Sequence, residues 1–159
     1  MNKKVYFAGA IRGDRILAEI IIKLINYIKT DLKLQVLTEH VGSEKPIEAF
    51  AEKIGKRVEN LSAEDIEKQD IDWLNQSSHI IAEISGASTG TGREIEYART
   101  KEHFGKVPAK VLCIYQLDRE YFASPMIRGM TKDKYPNISI KSYKSLDEAK
   151  ELVRFFLED

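Results

Sequence analysis

Short strand-like runs alternate with amphipathic helical stretches along nearly the whole chain, and this alternation constrains the fold more than any other feature. Residues 4–10 form an apolar run rich in strand formers, with Gly9 and then Gly13 as punctuation. From Asp14 onward, Ile16, Leu17, Ile20, Ile21, Leu24, Ile25 and Ile28 recur at spacings of three and four, the signature of an amphipathic helix. Residues 35–38 read as a second strand, and a helix opening on Pro46 is predicted to run to residue 58. The Ser62 hydroxyl is placed to cap a helix with Glu64 and Asp65 in its first turn, ending near Gln76. Residues 79–84 make a third strand, 85–92 a loop of small and hydroxyl residues, and 93–104 a helix. Residues 109–115 and 138–143 give the fourth and fifth strands, and Ser145 opens a last helix with Ala149, Val153 and Phe156 on one face. Strands alternating with helices imply a parallel sheet covered on both faces, and right-handed crossovers restrict its winding. The predicted fold is therefore an α/β, doubly wound five-stranded parallel sheet in the flavodoxin-like order 2-1-3-4-5.

The 159 residues suffice for one domain with a full core, and residues 1–159 are expected to form a single unit. Lys and Arg equal Asp and Glu at 25 each, so no net field draws the chain to a nucleic acid polymer or an anionic membrane. An anion must be held by local geometry instead. The single cysteine, Cys113, lies in an apolar run and reads as a packing residue. No apolar stretch approaches the roughly 18 residues of a membrane span, and the chain enters its first strand directly. A cytoplasmic protein is expected.

In doubly wound sheets ligands bind beyond the carboxyl ends of the strands, where the winding reverses between strands 1 and 3. The loops at that point are residues 9–15 and 85–92. Small residues let backbone N–H groups approach a phosphate, a helix N-terminus adds positive potential, and an arginine can grip two oxygens at once. Arg12, Ser88, Gly90 and Gly92 are the candidates, although loops of this composition serve equally as ordinary turns and match no Walker or dinucleotide pattern. Glu94, just inside the next helix, is expected to be held ionised by the helix dipole and so to be available as a nucleophile. Asp70, on the helix before strand 3, could reach the same pocket. Two carboxylates converging on one sugar carbon are what glycosidic cleavage requires, one to attack or stabilise positive charge and one to manage a proton. The histidines His40, His79 and His103 show no metal-ligand spacing, so neither a metal nor a cofactor is expected.

Several ordered segments together resemble the 2′-deoxynucleoside 5′-phosphate N-hydrolases, a branch of the nucleoside 2-deoxyribosyltransferase superfamily. They are Val5-Tyr6-Phe7-Ala8-Gly9-Ala10-Ile11-Arg12-Gly13, Val36-Leu37-Thr38-Glu39-His40-Val41, Gln69-Asp70-Ile71-Asp72-Trp73-Leu74, Ile81-Ala82-Glu83-Ile84-Ser85, Ser88-Thr89-Gly90-Thr91-Gly92-Arg93-Glu94 and Ser124-Pro125-Met126-Ile127-Arg128-Gly129. The resemblance implies that Glu94 attacks or shields the anomeric carbon, that Asp70 positions the sugar and assists departure of the base, and that Tyr6 stands beside the glutamate. It also implies that Gly9, Ala10, Ile11, Arg12, Gly13, His40, Ser88, Gly90, Gly92, Ser124 and Met126 bind a nucleoside 5′-monophosphate. Ser124 would then reach the phosphate of the neighbouring subunit in a homodimer. Ala10 departs from the pattern, since the family usually offers a serine hydroxyl there. The residues themselves leave three alternatives open: a deoxyribosyltransferase, a ribonucleoside monophosphate N-glycosidase, and a non-catalytic nucleotide-binding module.

Overall fold

The first strand, β1 (Lys4–Ala8), turns Val5 and Phe7 to one face of the sheet and Tyr6 and Ala8 to the other, and this alternation sorts the whole core. The computed structural model describes residues 3–11 and 17–159. Along the chain follow α1 (Ala18–Thr30), β2 (Gln35–Val36), α2 (Pro46–Lys53), α3 (Ala63–Gln76), β3 (His79–Glu83) and α4 (Thr89–Thr100). Then come β4 (Lys110–Gln116), the single turn α5 (Pro125–Arg128), β5 (Ile138–Tyr143) and α6 (Leu146–Glu158). The five strands are all parallel and lie in the order β2-β1-β3-β4-β5, as the element pattern predicts.

Helices α1 and α6 cover the Val5–Phe7 face through Leu24, Ile25, Ile28, Val153 and Leu157. The Tyr6–Ala8 face packs on α2, α3 and α4 through Phe50, Trp73, Leu74, Ile95 and Ala98. Leu24, Ile28, Leu74 and Ile95 are all 0% exposed, and burying a side chain of this size contributes about 1.5–3 kcal/mol. Cys113 is buried in the second of these layers, where desolvation pushes its thiol up to about 12. Because Tyr6 faces α3 and α4, its phenol is aimed at the helices that carry Asp70 and Glu94.

Two boundaries differ from the sequence expectation for identifiable reasons. β2 ends at Val36, and the buried Thr38 hydroxyl then stands in for a strand residue, accepting from the Phe7 N–H at 2.8 Å and donating to the Phe7 carbonyl at 2.7 Å. Helix α4 begins at Thr89, four residues earlier than its glycines suggested, because Ser88 caps it and accepts the Thr91 N–H at 3.2 Å. Gly90 and Gly92 therefore belong to the opening of the helix and not to a loop. Packing outweighs the helix cost of two glycines, about 1 kcal/mol each. The predicted helix over 46–58 stops at Lys53. Among the described residues no helix is long and apolar enough to cross a membrane.

Candidate active site

The carboxyl ends of β1 and β3 open into a cleft with two lobes. One lobe, about 380 Å³, is largely aliphatic and is walled by Leu61, Ile66, Ile71 and Leu74. The other, about 530 Å³, runs past Gly9, His40, Ala87, Ser88 and Thr91. Ile11, Ile66, Asp70, Gly90 and Glu94 border both, so the two carboxylates stand where the lobes meet. Volumes of this size are those of small-molecule sites.

Tyr6 is 1% exposed and donates its hydroxyl to Glu94 Oε1 at 2.5 Å. Glu94 is the sixth residue from the start of α4, beyond the first turn in which the dipole acts strongly. Protein surrounds much of its carboxyl, and the ionised form is disfavoured there. Burial, opposed by the Tyr6 hydrogen bond and reinforced by Asp70, pushes Glu94 up to about 8. This reverses the expectation that the helix dipole keeps Glu94 ionised: desolvation outweighs it. Burial also raises Asp70 to about 6, against the opposing hydrogen bond from Tyr6, with Glu67 raising it further. The Tyr6 phenol is itself held well above its usual range, by burial first and then by the charges of Glu94 and Asp70. The three groups form one unit around a phenol that can donate a single proton.

The frame behind this unit is cross-linked by hydrogen bonds. Lys101 is 0% exposed and donates to the carbonyls of Leu74 and Ser77, each at 2.6 Å, at the C-terminus of α3. Tyr97 donates to Asn75 Oδ1 at 2.9 Å, and Arg93 pairs with Glu67 at 2.6 Å. The Lys101 and Tyr97 bonds thus join α3, which carries Asp70, to α4, which carries Glu94, while the exposed Glu67–Arg93 pair adds little. The loop after β3 is tied down by buried Glu83, which accepts from the N–H and the hydroxyl of Ser85 and, at 3.1 Å, from Tyr143. The Ser85 hydroxyl oxygen in turn accepts the Gln116 N–H at 2.7 Å.

Of the residues singled out by sequence, Tyr6, Gly9, Ile11, His40, Asp70, Ser88, Gly90 and Glu94 border the cleft. A β-carbon on Gly9 would lie 2.9 Å from Ile21 Cδ1, the end of a flexible side chain on α1 that would have to shift. His40 is wedged between Phe50 and Trp73 at ring separations of 5.1 and 5.5 Å, and burial lowers it to about 4, so it is neutral at neutral pH. Ala10 instead borders a small void beside Glu83 and Arg119. Gly92 sits on α4 away from the cleft lining. Ser124 and Met126 are exposed on α5, outside this cleft. Arg12 and Gly13 lie outside the described residues. Sequence reasoning missed Glu67 and Arg93 at the edge of the aliphatic lobe; the i, i+3 spacing of Glu67 and Asp70 was the available signal. Among the described residues no group of three or more His, Cys, Asp or Glu is placed to hold a metal ion.

No family model matches the chain. Relatives do. A protein of Nematostella vectensis that bears the provisional name 2′-deoxynucleoside 5′-phosphate N-hydrolase 1 is 34% identical over 156 residues, covering 98% of this chain and 95% of that one. The 5-hydroxymethyl-dUMP N-hydrolase of Tetraodon nigroviridis is 32% identical, covering 98% of both chains. Among solved structures, a CMP N-glycosidase of Clostridium botulinum superposes with a TM-score of 0.64 at 18% identity, over 97% of this chain and 99% of that one, a likeness of fold.

Proposed function

The chain belongs to the 2′-deoxynucleoside 5′-phosphate N-hydrolase family, and from that premise we propose that it hydrolyses the N-glycosidic bond of 2′-deoxynucleoside 5′-monophosphates to free base and 2-deoxyribose 5-phosphate. The observation that carries this reading is the Tyr6–Glu94 hydrogen bond of 2.5 Å beside Asp70, at the junction of the two lobes. The phosphate is assigned to the lobe that holds Ser88, at the N-terminus of α4, where Ser88, Gly90 and backbone N–H groups suit an anion. Arg12 joins them on sequence grounds, and backbone donors compensate for the absent hydroxyl at Ala10. Neutral His40 offers a hydrogen bond along the same wall.

Glu94 must be ionised to attack C1′, and the departing base needs a proton. Between about pH 6 and 8 the Asp70–Glu94 pair holds one proton for two carboxyls. Burial leaves most of that proton on Glu94; the reactive form is the minor one, with the proton on Asp70 and the Glu94 charge held by the Tyr6 phenol. In the reactive form the Glu94 carboxylate bonds to C1′ as the C1′–N bond breaks, and the proton from Asp70 goes to the leaving base. Water then attacks C1′, releases Glu94 and returns a proton to the pair. The phosphate supplies remote binding energy that holds C1′ over Glu94.

The exposed Ser124 and Met126 fit a homodimer in which α5 reaches a neighbour's cleft. Tyr121, 90% exposed, and Phe122, 55% exposed, give α5 an apolar surround that a second copy would cover. One domain of residues 1–159, working in the cytoplasm on a small-molecule substrate, completes the reading.

Chromatography of free base released from deoxy- and ribonucleoside monophosphates and from unphosphorylated nucleosides tests the proposal. It predicts release from deoxynucleoside monophosphates above the rest. Preferential release from ribonucleotides, or base exchange on nucleosides, would reassign the substrate or the acceptor.

A further inference from the structure

The aliphatic lobe has one polar corner that the bond-breaking step leaves unused. Glu67 of α3 and Arg93 of α4 both line it, joined at 2.6 Å. Apart from Asp70 and Glu94 at the junction, they are the charged side chains among the described residues bordering this lobe. We propose that the Glu67–Arg93 pair reads the nucleobase edge remote from the sugar and favours bases in which a ring N–H stands beside a carbonyl. The proposal deepens the N-hydrolase reading above and rests on it for the position of the sugar.

With C1′ at the Asp70–Glu94 junction and the phosphate toward Ser88, the base has the aliphatic lobe to enter. There Leu61, Ile66 and Ile71 offer apolar contact, which distinguishes heterocycles poorly because every base has apolar faces. Discrimination is left to the polar corner. The pair uses Glu67 Oε1 and one Arg93 nitrogen, so Oε2 remains an acceptor and the other guanidinium N–H groups remain donors. The side chains are 47% and 61% exposed, so their mutual attraction is weak in water and turning toward a ligand costs little. A base arriving in the lobe displaces water from them and strengthens the bonds it makes. A lactam edge, as in guanine, offers an N–H to the carboxylate and a carbonyl to the guanidinium. An amidine edge, as in adenine, sets a bare ring nitrogen beside its amino group, and that lone pair opposes the carboxylate.

The test compares kcat/KM for 2′-deoxyguanosine and 2′-deoxyadenosine 5′-monophosphates, two purines of similar size, in the natural protein and in Glu67→Gln. Product inhibition by 2-deoxyribose 5-phosphate is measured alongside. The expected result is a preference for the guanine nucleotide of about tenfold, the size of one good polar base contact, falling toward parity in the variant with sugar-phosphate inhibition unchanged. No preference in the natural protein, or the same preference in Glu67→Gln, overturns the assignment. If neither nucleotide is cleaved, the hydrolase reading fails, and equilibrium binding of the same two nucleotides decides this one. A guanine preference lost in Glu67→Gln upholds it; equal binding overturns it.

Discussion

Glu94 is a carboxyl held mostly in the neutral state, the wrong one for a nucleophile. Burial favours its neutral form, Tyr6 favours the charged one, and Asp70 opposes a second negative charge. The predicted kcat/KM profile is therefore bell-shaped, rising as the pair loses its first proton near pH 6 and falling as it loses the second near pH 8. Because a substrate phosphate also titrates near pH 6, the alkaline limb is the diagnostic one; a rate that stays flat well past pH 8 would contradict shared-proton chemistry. Tyr6→Phe removes both the bond to Glu94 and the path between the carboxyls. It is expected to lower kcat by about 10²-fold or more with a small change in KM, as steady-state kinetics would show. That Glu94 and Asp70 could share one pocket was legible from the sequence, and Tyr6 beside Glu94 was implied by resemblance to a family; the three do meet at the cleft. Their ionisation was not legible, since the expected dipole effect is outweighed by desolvation that arises only when α3 and α4 close over the site.

Helices α3 and α4 matter as a pair because each brings one carboxyl. Lys101 joins them at the C-terminus of α3, its ammonium donating to the carbonyls of Leu74 and of the capping residue Ser77. Lys101→Met keeps the apolar stem but removes the donor to the Ser77 carbonyl, while the Leu74 carbonyl keeps the Ser77 N–H at 3.2 Å, and should cost about 1–3 kcal/mol of stability. Chemical denaturation reads this directly, and a midpoint unchanged at constant slope would count against it. The sequence made α3 legible through its Ser62 cap and apolar spacing, and the capping box with Asp65 is present. The start of α4 was misread because Gly90 and Gly92 are loop formers by propensity, whereas Ser88 capping and the burial of Ile95 and Ala98 extend the helix over them. Lys101 gave no signal at all. A lysine in a charged helix reads as solvated, and only the approach of the α3 C-terminus makes it internal.

For the whole molecule, the strand order followed from alternation alone, because a parallel sheet with right-handed crossovers admits few windings. The cleft's division into two lobes was not readable, since its walls come from segments as distant as Ile11, Leu61 and Arg93. The site also taxes the fold. Glu94 has a folded-state pKa raised above its unfolded value, so folding favours the protonated form, and its contribution to stability declines as pH rises from about 4.5 to about 8. Glu94→Gln should therefore gain thermal stability relative to the natural protein, and the gain should grow between pH 5 and pH 8. Melting temperatures that differ by the same amount at every pH would show that the carboxyl is not under strain. The most direct test of the central claim is one incubation of a 2′-deoxynucleoside 5′-monophosphate with the protein in water carrying heavy oxygen, with an excess of a second base and with Glu94→Gln in parallel. The account predicts free base, 2-deoxyribose 5-phosphate labelled at C1, and on the order of 10³-fold or greater loss of product in the variant. A new nucleotide built on the second base, or turnover that survives in Glu94→Gln, would contradict it.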